Sequence, residues 1–441
     1  MKTPLLPTQI EDVDRIANGE DIPNFSLPGT GKTLTTIGAI NKLRLHTGVV
    51  VCPSVATSMW VETLEGELGA SVQWLKNRGT TVDRNADFWV MSYGVVVDQA
   101  PNLMGRPAGA LVVDESHYVK NGDAGRTQAI FGEACDGVGG LYEDSAQCWC
   151  LSGTPIERYA DDLWSQLRAT QPEVLEKYRA LTLPEFQRQF CRMEWKFYGV
   201  EKTIAKHVSV GNQSERLLNR LLYTEIGAIR RTMAEVDPYM PEVKFRTIFT
   251  PARITPELRD ILKGKTEQQI MEMLLEGGDE ITRARRLMGM AKLKGVLDYI
   301  KEQASGKQIL VGFWHTDVGT EIVKQLKEAG FATGFINGST PPHGRDKVKN
   351  LFIQGDTDIL VGQMQAMGVA MDGLQHVTSH VIMAEDDWSA SKIEQFYKRV
   401  ARKGQTQHVQ VDFCNSEEAV DTALVKIRLR KETGARLIHG T

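Results

Sequence analysis

Short apolar runs rich in β-branched and aromatic residues occur in two sets along this chain, and that spacing restricts its fold more than any other feature. The first set covers residues 48–53, 88–93, 111–115 and 148–152; the second covers 308–314, 332–336, 358–362, 380–384 and 409–413. Longer stretches of helical periodicity separate the runs, and strands alternating with helices build parallel sheets with crossover connections. From about residue 161 to 305 strand signals fade and helix formers dominate, as in 268–275 and 283–301. The expected fold class is α/β, with two parallel-sheet lobes and a helical insertion between them. A chain of 441 residues exceeds one compact core. Its expected division is a first lobe at 1–160, a helical insertion and linker at 161–290, and a second lobe at 291–441.

Composition narrows the class without naming a partner. Hydrophobic residues make up 41% and charged ones 24%, the balance of an ordinary globular chain rather than a disordered one. No apolar run approaches the roughly 20 residues that span a bilayer, and no basic stretch with an apolar core opens the sequence. A cytoplasmic protein without a membrane partner is expected, and its compactness suggests a prokaryotic or viral genome. Six cysteines are scattered, and Cys148-Trp-Cys150 lacks the spacing of a thiolate site, so no structural zinc is expected. A net charge of -4 leaves nucleic-acid binding open, since a basic groove can sit on an acidic body.

Chemistry enters at Ser26-Leu-Pro-Gly-Thr-Gly-Lys-Thr33, which precedes a helical pattern at 34–45. A glycine-rich turn feeding a helix N-terminus presents backbone N–H groups and the positive end of the helix dipole to phosphate oxygens. In that reading Gly29, Thr30 and Gly31 wrap the phosphates, Lys32 reaches the β/γ positions and Thr33 holds Mg²⁺. Ser26 stands where the strict pattern has its first glycine. The second element is Leu111-Val-Val-Asp-Glu-Ser-His117, an apolar strand ending in two carboxylates. Asp114 would bind Mg²⁺ through water and Glu115 would polarise the attacking water, so ATP and Mg²⁺ are the expected cofactors. A solvated acidic turn is the common alternative for such a pair; a phosphate loop ahead of it in the same α/β lobe argues against that.

Taken in order, these motifs resemble superfamily-two helicases of the DExH group, whose lobes are RecA-like. Leu151-Ser-Gly-Thr-Pro155 resembles motif III, which implies that Ser152 and Thr154, with His117 of the DExH box, couple the nucleotide site to the track. Gln395-Phe-Tyr-Lys-Arg-Val-Ala-Arg402 resembles motif VI. Helical spacing would put Gln395, Arg399 and Arg402 on one face, with the guanidinium groups serving as arginine fingers for the γ-phosphate. His117-Tyr-Val-Lys-Asn121, Arg230-Arg-Thr232 followed by Met240-Pro-Glu-Val, Trp388, and Arg402-Lys-Gly-Gln-Thr406 narrow the resemblance to Swi/Snf-type ATPases. The Ser in the DExH box and the stretch 283–294 are most similar to the annealing-helicase, HepA-related branch. The resemblance runs from Gln9 to about Gln410. Three departures stand out: the motif I wording, two glycines (Gly368 and Gly373) competing for one place in motif V, and Ala401 where motif VI has a histidine.

The resemblance implies further roles. Gln9 would read adenine, with a polar residue at a helix start as the alternative. Pro53, Ser54, Ser92, Tyr93, Asn337, Ser339 and Thr340 follow strands where the family touches the nucleic-acid backbone, although turn formation explains each equally well. Trp60, Trp164 and Trp195 read as packing residues. The implied activity is a DNA-dependent ATPase that translocates on duplex DNA, rewinding or remodelling forks without sequence specificity. A strand-separating DNA or RNA helicase and an ATP-gated, protein-displacing module are the alternatives, and protein partners are unknown.

Overall fold

The computed structural model describes residues 1–198, 204–237, 239–367, 371–387 and 389–439. Trp388 and Gly368, singled out above, lie outside them. The chain forms two compact units, one from residues 1–236 joined by 435–439, the other from 237–434.

The first unit is built on a parallel sheet of β1 (Gly48–Cys52), β2 (Val72–Leu75), β3 (Phe88–Ser92), β4 (Ala110–Asp114) and β5 (Cys148–Leu151), in the order β2-β3-β1-β4-β5. β1 and β5 are buried along their whole length, which is why they read as unbroken apolar runs. Beyond β5 the sheet continues as single bridges: Asn24 pairs in parallel with both Leu151 and Ile229. The segment carrying the glycine-rich loop therefore runs beside the strand that leads into Ser152. Helices α1 (Pro7–Asn18), α2 (Lys32–Leu43) and α3 (Thr57–Leu68) belong to this unit. A two-stranded antiparallel hairpin also belongs to it, β6 (Cys191–Tyr198) with β7 (Ile204–Asn212).

The second unit holds a six-stranded parallel sheet. β8 (Val243–Phe249), β9 (Ile309–Phe313), β10 (Thr333–Ile336), β11 (Ile359–Gln363), β12 (His380–Met383) and β13 (Val409–Asn415) stand in the order β10-β11-β9-β12-β13-β8. Successive residues divide between its two faces, as strand geometry requires. Leu310, Leu360, Val381 and Met383 enter one apolar core; Ile309, Val311, Val361 and Ile382 enter the other.

The stretch 161–290 is shared, residues up to 236 packing with the first unit and those from 237 with the second. The expectation that it is helical needs correction, because β6, β7 and β8 lie in it. All three are solvent-facing along part of their length and carry Lys, joined by Arg in β6 and β8, residues that also suit helices; their composition hid their period of two.

Candidate nucleotide and nucleic-acid site

Residues 26–31 form a tight loop capped by α2. Gly29 and Gly31 both adopt positive φ, 88° and 86°, and Gly31 is the N-cap of α2. A Cβ on Gly31 would sit 2.3 Å from Gln9 Nε2, so a side chain there would push the Gln9 amide aside as well as strain the positive φ. Gln9 is buried there: its Oε1 accepts the Leu6 N–H at 2.9 Å and its Nε2 donates to the Gly31 carbonyl at 3.3 Å. The Lys32 ammonium turns back over the loop, donating to the carbonyls of Ser26 (2.8 Å) and Leu27 (3.4 Å). Thr30 donates its hydroxyl to Leu27 at 2.7 Å, and Thr33 lies half-buried in the first turn of α2. The departure at Ser26 has a local reason. Its side chain is buried and its Oγ accepts the Arg231 N–H at 3.0 Å, a bond glycine could not make.

β4 delivers Asp114 to the same end of the sheet. Trp60, fully buried on α3, donates its indole N–H to Asp114 Oδ2 at 2.8 Å. The sequence reading took Trp60 for packing alone; nothing in the spacing of 54 residues could have revealed the bond. Burial, then the charge of Glu115, pushes the Asp114 carboxyl up to about 6, against the opposing pull of Trp60 and Lys32. Glu115 adopts φ 53°, a left-handed conformation that L residues seldom hold, at the start of a short 3₁₀ turn, Ser116–Val119.

Three polar groups link this turn to the end of β5. His117 Nδ1 lies 3.3 Å from Glu115 Oε2 and 3.1 Å from Ser152 Oγ, which in turn accepts the Thr154 N–H at 3.1 Å. Gly153, between them, has no room for a side chain: a Cβ would come within 2.7 Å of Pro28 in the phosphate loop. Arg230 donates to the carbonyls of Phe25 and Gly153 (the latter at 3.1 Å), and Arg231 grips Asp12 of α1 at 2.7 and 3.0 Å. The two arginines thus tie together the loop strand, the motif III turn and α1. Their place in the sequence was noticed, but not this clamping role.

The post-strand residues divide. Pro53 and Ser54 follow β1, where Ser54 is exposed and its carbonyl accepts the Thr57 hydroxyl at 2.8 Å. Ser92 is half-buried. Tyr93 is not a surface group as expected: it is buried, donates its hydroxyl to the Asp114 carbonyl at 2.7 Å and stacks on Tyr118 with centroids 5.0 Å apart. An aromatic ring after a buried strand gains more from the core than from water. In the second unit Asn337 Oδ1 gathers Ser339 N (3.1 Å), Ser339 Oγ (2.8 Å) and Thr340 Oγ1 (3.1 Å), an Asx turn held from β11 by Gln363 Oε1 accepting the Gly338 N–H at 2.9 Å. Both the turn-forming and the backbone-contacting readings remain compatible with that loop, because Gly338 and Ser339 are exposed.

Motif VI differs from its expected geometry. The helix that carries Gln395 spans Ala390–Tyr397 and ends there. Arg399 and Arg402 lie in the tight turns that follow, with Arg399 N–H on the Phe396 carbonyl (3.1 Å) and Arg402 N–H on that of Val400 (3.1 Å). One helical face does not hold all three. The buried Gln405 side chain draws the chain aside by donating to the carbonyls of Thr378 (2.9 Å) and Val400 (3.3 Å). Arg402 meets Asp372 at 3.1 Å.

Lys32, Asp114, Glu115, His117, Ser152, Thr154 and Gln9 all belong to the first unit, while Asn337, Ser339, Thr340, Gln395, Arg399 and Arg402 belong to the second. A glycine-rich phosphate loop and a paired carboxylate turn on one parallel sheet define the class as a P-loop α/β protein. The SNF2-related domain matches residues 27–295 and the Helicase conserved C-terminal domain residues 291–404. This chain belongs to the SNF2-related family of helicase-like ATPases. It is 25% identical over 433 residues to the DNA annealing helicase and endonuclease ZRANB3 of Mus musculus, covering 93% of this chain and 38% of that one. It is 22% identical over 392 residues to the SWI/SNF-related matrix-associated actin-dependent regulator of chromatin subfamily A-like protein 1 homolog of Caenorhabditis elegans, covering 85% and 53%. The chain therefore spans well under two thirds of these curated relatives. Among solved structures, the Sulfolobus solfataricus SWI2/SNF2 ATPase core in complex with dsDNA aligns over 100% of this chain and 93% of that one, at 19% identity and TM-score 0.46. Among the described residues no helix is long and apolar enough to cross a membrane.

Proposed function

We propose that this chain is a DNA-dependent ATPase that translocates along duplex DNA without reading its sequence and rewinds or remodels forked and branched DNA. The observation that carries the reading is the linkage from Glu115 through His117 to Ser152 and Thr154, over distances of 3.3, 3.1 and 3.1 Å. A carboxylate placed to act in hydrolysis and a post-strand turn that can meet the track share one path of close polar contacts, hydrogen-bonded from His117 onward. A static ATP-binding module has no need of it.

In this reading ATP lies on the loop N–H groups of Gly29, Thr30 and Gly31, with Lys32 on its β/γ-phosphates and Gln9 at the adenine side. Thr33 and Asp114 hold Mg²⁺. The donor set fits that ion: a buried carboxyl raised to about 6 beside a second carboxylate gains from a nearby divalent charge. Bound Mg²⁺ supplies neutralisation of phosphate charge during transfer. Glu115 orients the attacking water. Gln395, Arg399 and Arg402 take the parts the motif VI resemblance implies, the arginines stabilising charge that develops on the transferred phosphoryl group. Pro53, Ser54, Ser92, Asn337, Ser339 and Thr340 hold the phosphate backbone, which positions without specifying. The printed name of the mouse relative, an annealing helicase, supports rewinding over strand separation.

The test is ATP hydrolysis without nucleic acid, then with closed circular duplex, single-stranded DNA, forked DNA and RNA. Stimulation by duplex and fork is expected, with Lys32→Ala reducing turnover by roughly a hundredfold or more through loss of the phosphate-binding charge. Stimulation by RNA or single strands alone would replace the proposal with a strand-separating helicase. Indifference to every nucleic acid would sink it.

A further inference from the structure

Trp195 is 63% exposed on β6, in a chain where Trp60 and Trp149 are completely buried. Exposure alone selects nothing, since Tyr239 and Phe249 are exposed to a greater degree; what marks Trp195 is the ring stacked against it. Its ring stacks on His207 of β7, directly opposite in register, with centroids 5.0 Å apart and planes 21° from parallel. Two residues closer to the root, on the same side, Met193 packs into the core of the unit. The aromatic pair is therefore the first level of the hairpin that stands free of the body.

The root is joined to the nucleotide-site machinery. Asp161 Oδ2 accepts the Ser209 hydroxyl at 2.6 Å and Gln187 Nε2 at 2.9 Å, and Asn212 Oδ1 accepts the Ala160 N–H at 2.8 Å. Asp162 next door accepts the N–H groups of Glu157 and Arg158 at 2.8 and 2.6 Å, immediately after the motif III turn. Lys120, three residues beyond His117, pairs with Glu157. One short polar path thus leads from the carboxylate turn to the foot of the hairpin.

We propose that the Trp195–His207 pair is a stacking platform for an exposed nucleobase at a DNA fork or strand end. The inference deepens the translocase reading and rests on it for the identity of the track. Charge selects nucleic acid over an acidic or apolar partner: residues 191–212 contain four basic residues against two acidic ones, in a chain of net charge -4. Continuous duplex offers phosphates but no free base face. A paired-ring platform therefore discriminates by DNA structure, recognising the places where the stack is interrupted, whereas contacts to phosphates treat every duplex alike.

The experiment measures binding of a fluorescently labelled fork with unpaired arms by anisotropy, in competition with closed circular duplex, for the full chain and for Trp195→Ala, Trp195→Phe and His207→Ala. Trp195→Ala is expected to weaken fork binding about tenfold, the loss of one base–aromatic contact, while affinity for closed circles stays within about twofold. Trp195→Phe should retain most of the affinity and His207→Ala should lose an intermediate part. Unchanged fork binding in Trp195→Ala would overturn the proposal and assign the pair to a protein partner instead. Equal losses on forks and circles would overturn it too, as would a wild-type chain that binds forks no better than circles. ATP hydrolysis on closed circles, read in parallel, separates the two ideas, because its absence speaks against the translocase and not against the platform.

Discussion

Asp114 and Asp412 are both carboxylates on strands of parallel sheets, one in each unit, and their surroundings treat them in opposite ways. Asp114 has one side-chain donor, the Trp60 indole, and a neighbouring carboxylate; burial and Glu115 push it up to about 6. Asp412 is completely buried, and burial alone would raise it as well. It is instead held far below the usual carboxylate range by His380 Nε2 (2.6 Å), Arg246 (2.8 and 2.9 Å) and the Tyr299 hydroxyl (2.7 Å). A carboxylate whose acceptor sites are filled by the protein is part of the scaffold. One left short of donors next to a phosphate loop is kept open for something else, and the cost in stability marks the site.

Breaking the scaffold side should have the largest effect. Asp412→Ala strands His380 and Tyr299 and is expected to destabilise the second unit by about 3 kcal/mol, the low end for a buried pair because Arg246 is half-exposed and can turn to water. Denaturant unfolding at neutral pH measures it. Since the Asp412 carboxyl is depressed, its contribution is present above the unfolded value of 3.8 and is lost as pH falls further. The gap between variant and wild type should therefore narrow in acid. A gap independent of pH would remove Asp412 from the comparison.

The opposite sign is expected at Asp114. Its carboxyl is raised from 3.8 to about 6, so in that window the native state keeps a proton the unfolded chain has released, and stability falls as pH rises. Asp114→Asn should stabilise the nucleotide-free protein above pH 6 by about 1–3 kcal/mol while stopping ATP turnover. Mg²⁺ with nucleotide should then raise the melting temperature of wild type more than that of the variant. A variant less stable than wild type at pH 8 would mean that Asp114 is scaffold after all.

Trp60→Phe sharpens the contrast by a smaller step. Removing the one indole donor costs about 1 kcal/mol of hydrogen bonding and should move the Asp114 titration further up. The pH midpoint of Mg²⁺-dependent nucleotide binding would follow it upward. A midpoint that stays put would show that the indole merely packs.

The same contrast separates what the sequence made readable from what it concealed. Strands buried on both faces, such as β1 and β5, write themselves as apolar runs, and so the two sheets were legible. β2 is only partly buried and β8 mostly exposed, and both passed unnoticed because an edge strand needs few apolar residues. Lys32, Asp114 and Glu115 stand out in the sequence because the phosphate chemistry proposed for them asks for fixed residue types at local spacing. Trp60, Arg230 and Arg231 could not be given their roles, since each acts on a partner from 54 to 219 residues away. Tyr93 and Trp195 were misread in opposite directions: a ring looks the same in a sequence whether it faces the core or solvent. Motif VI was legible in its residues but not in its shape, because the helix stops at Tyr397, ahead of both arginines.

The strand that carries the glycine-rich loop has one further consequence, for the order in which the molecule is made. Residue 24 bridges Leu151 on one side and Ile229 on the other, and Phe25 donates to the Ile229 carbonyl at 2.8 Å. These are contacts of very high sequence separation, the kind that close late and set slow folding steps. On a ribosome the loop is made some two hundred residues before Ile229, and it cannot be seated until that partner has followed. Nascent chains halted before Ile229 should carry the whole glycine-rich loop with Lys32 and still fail to bind nucleotide phosphate.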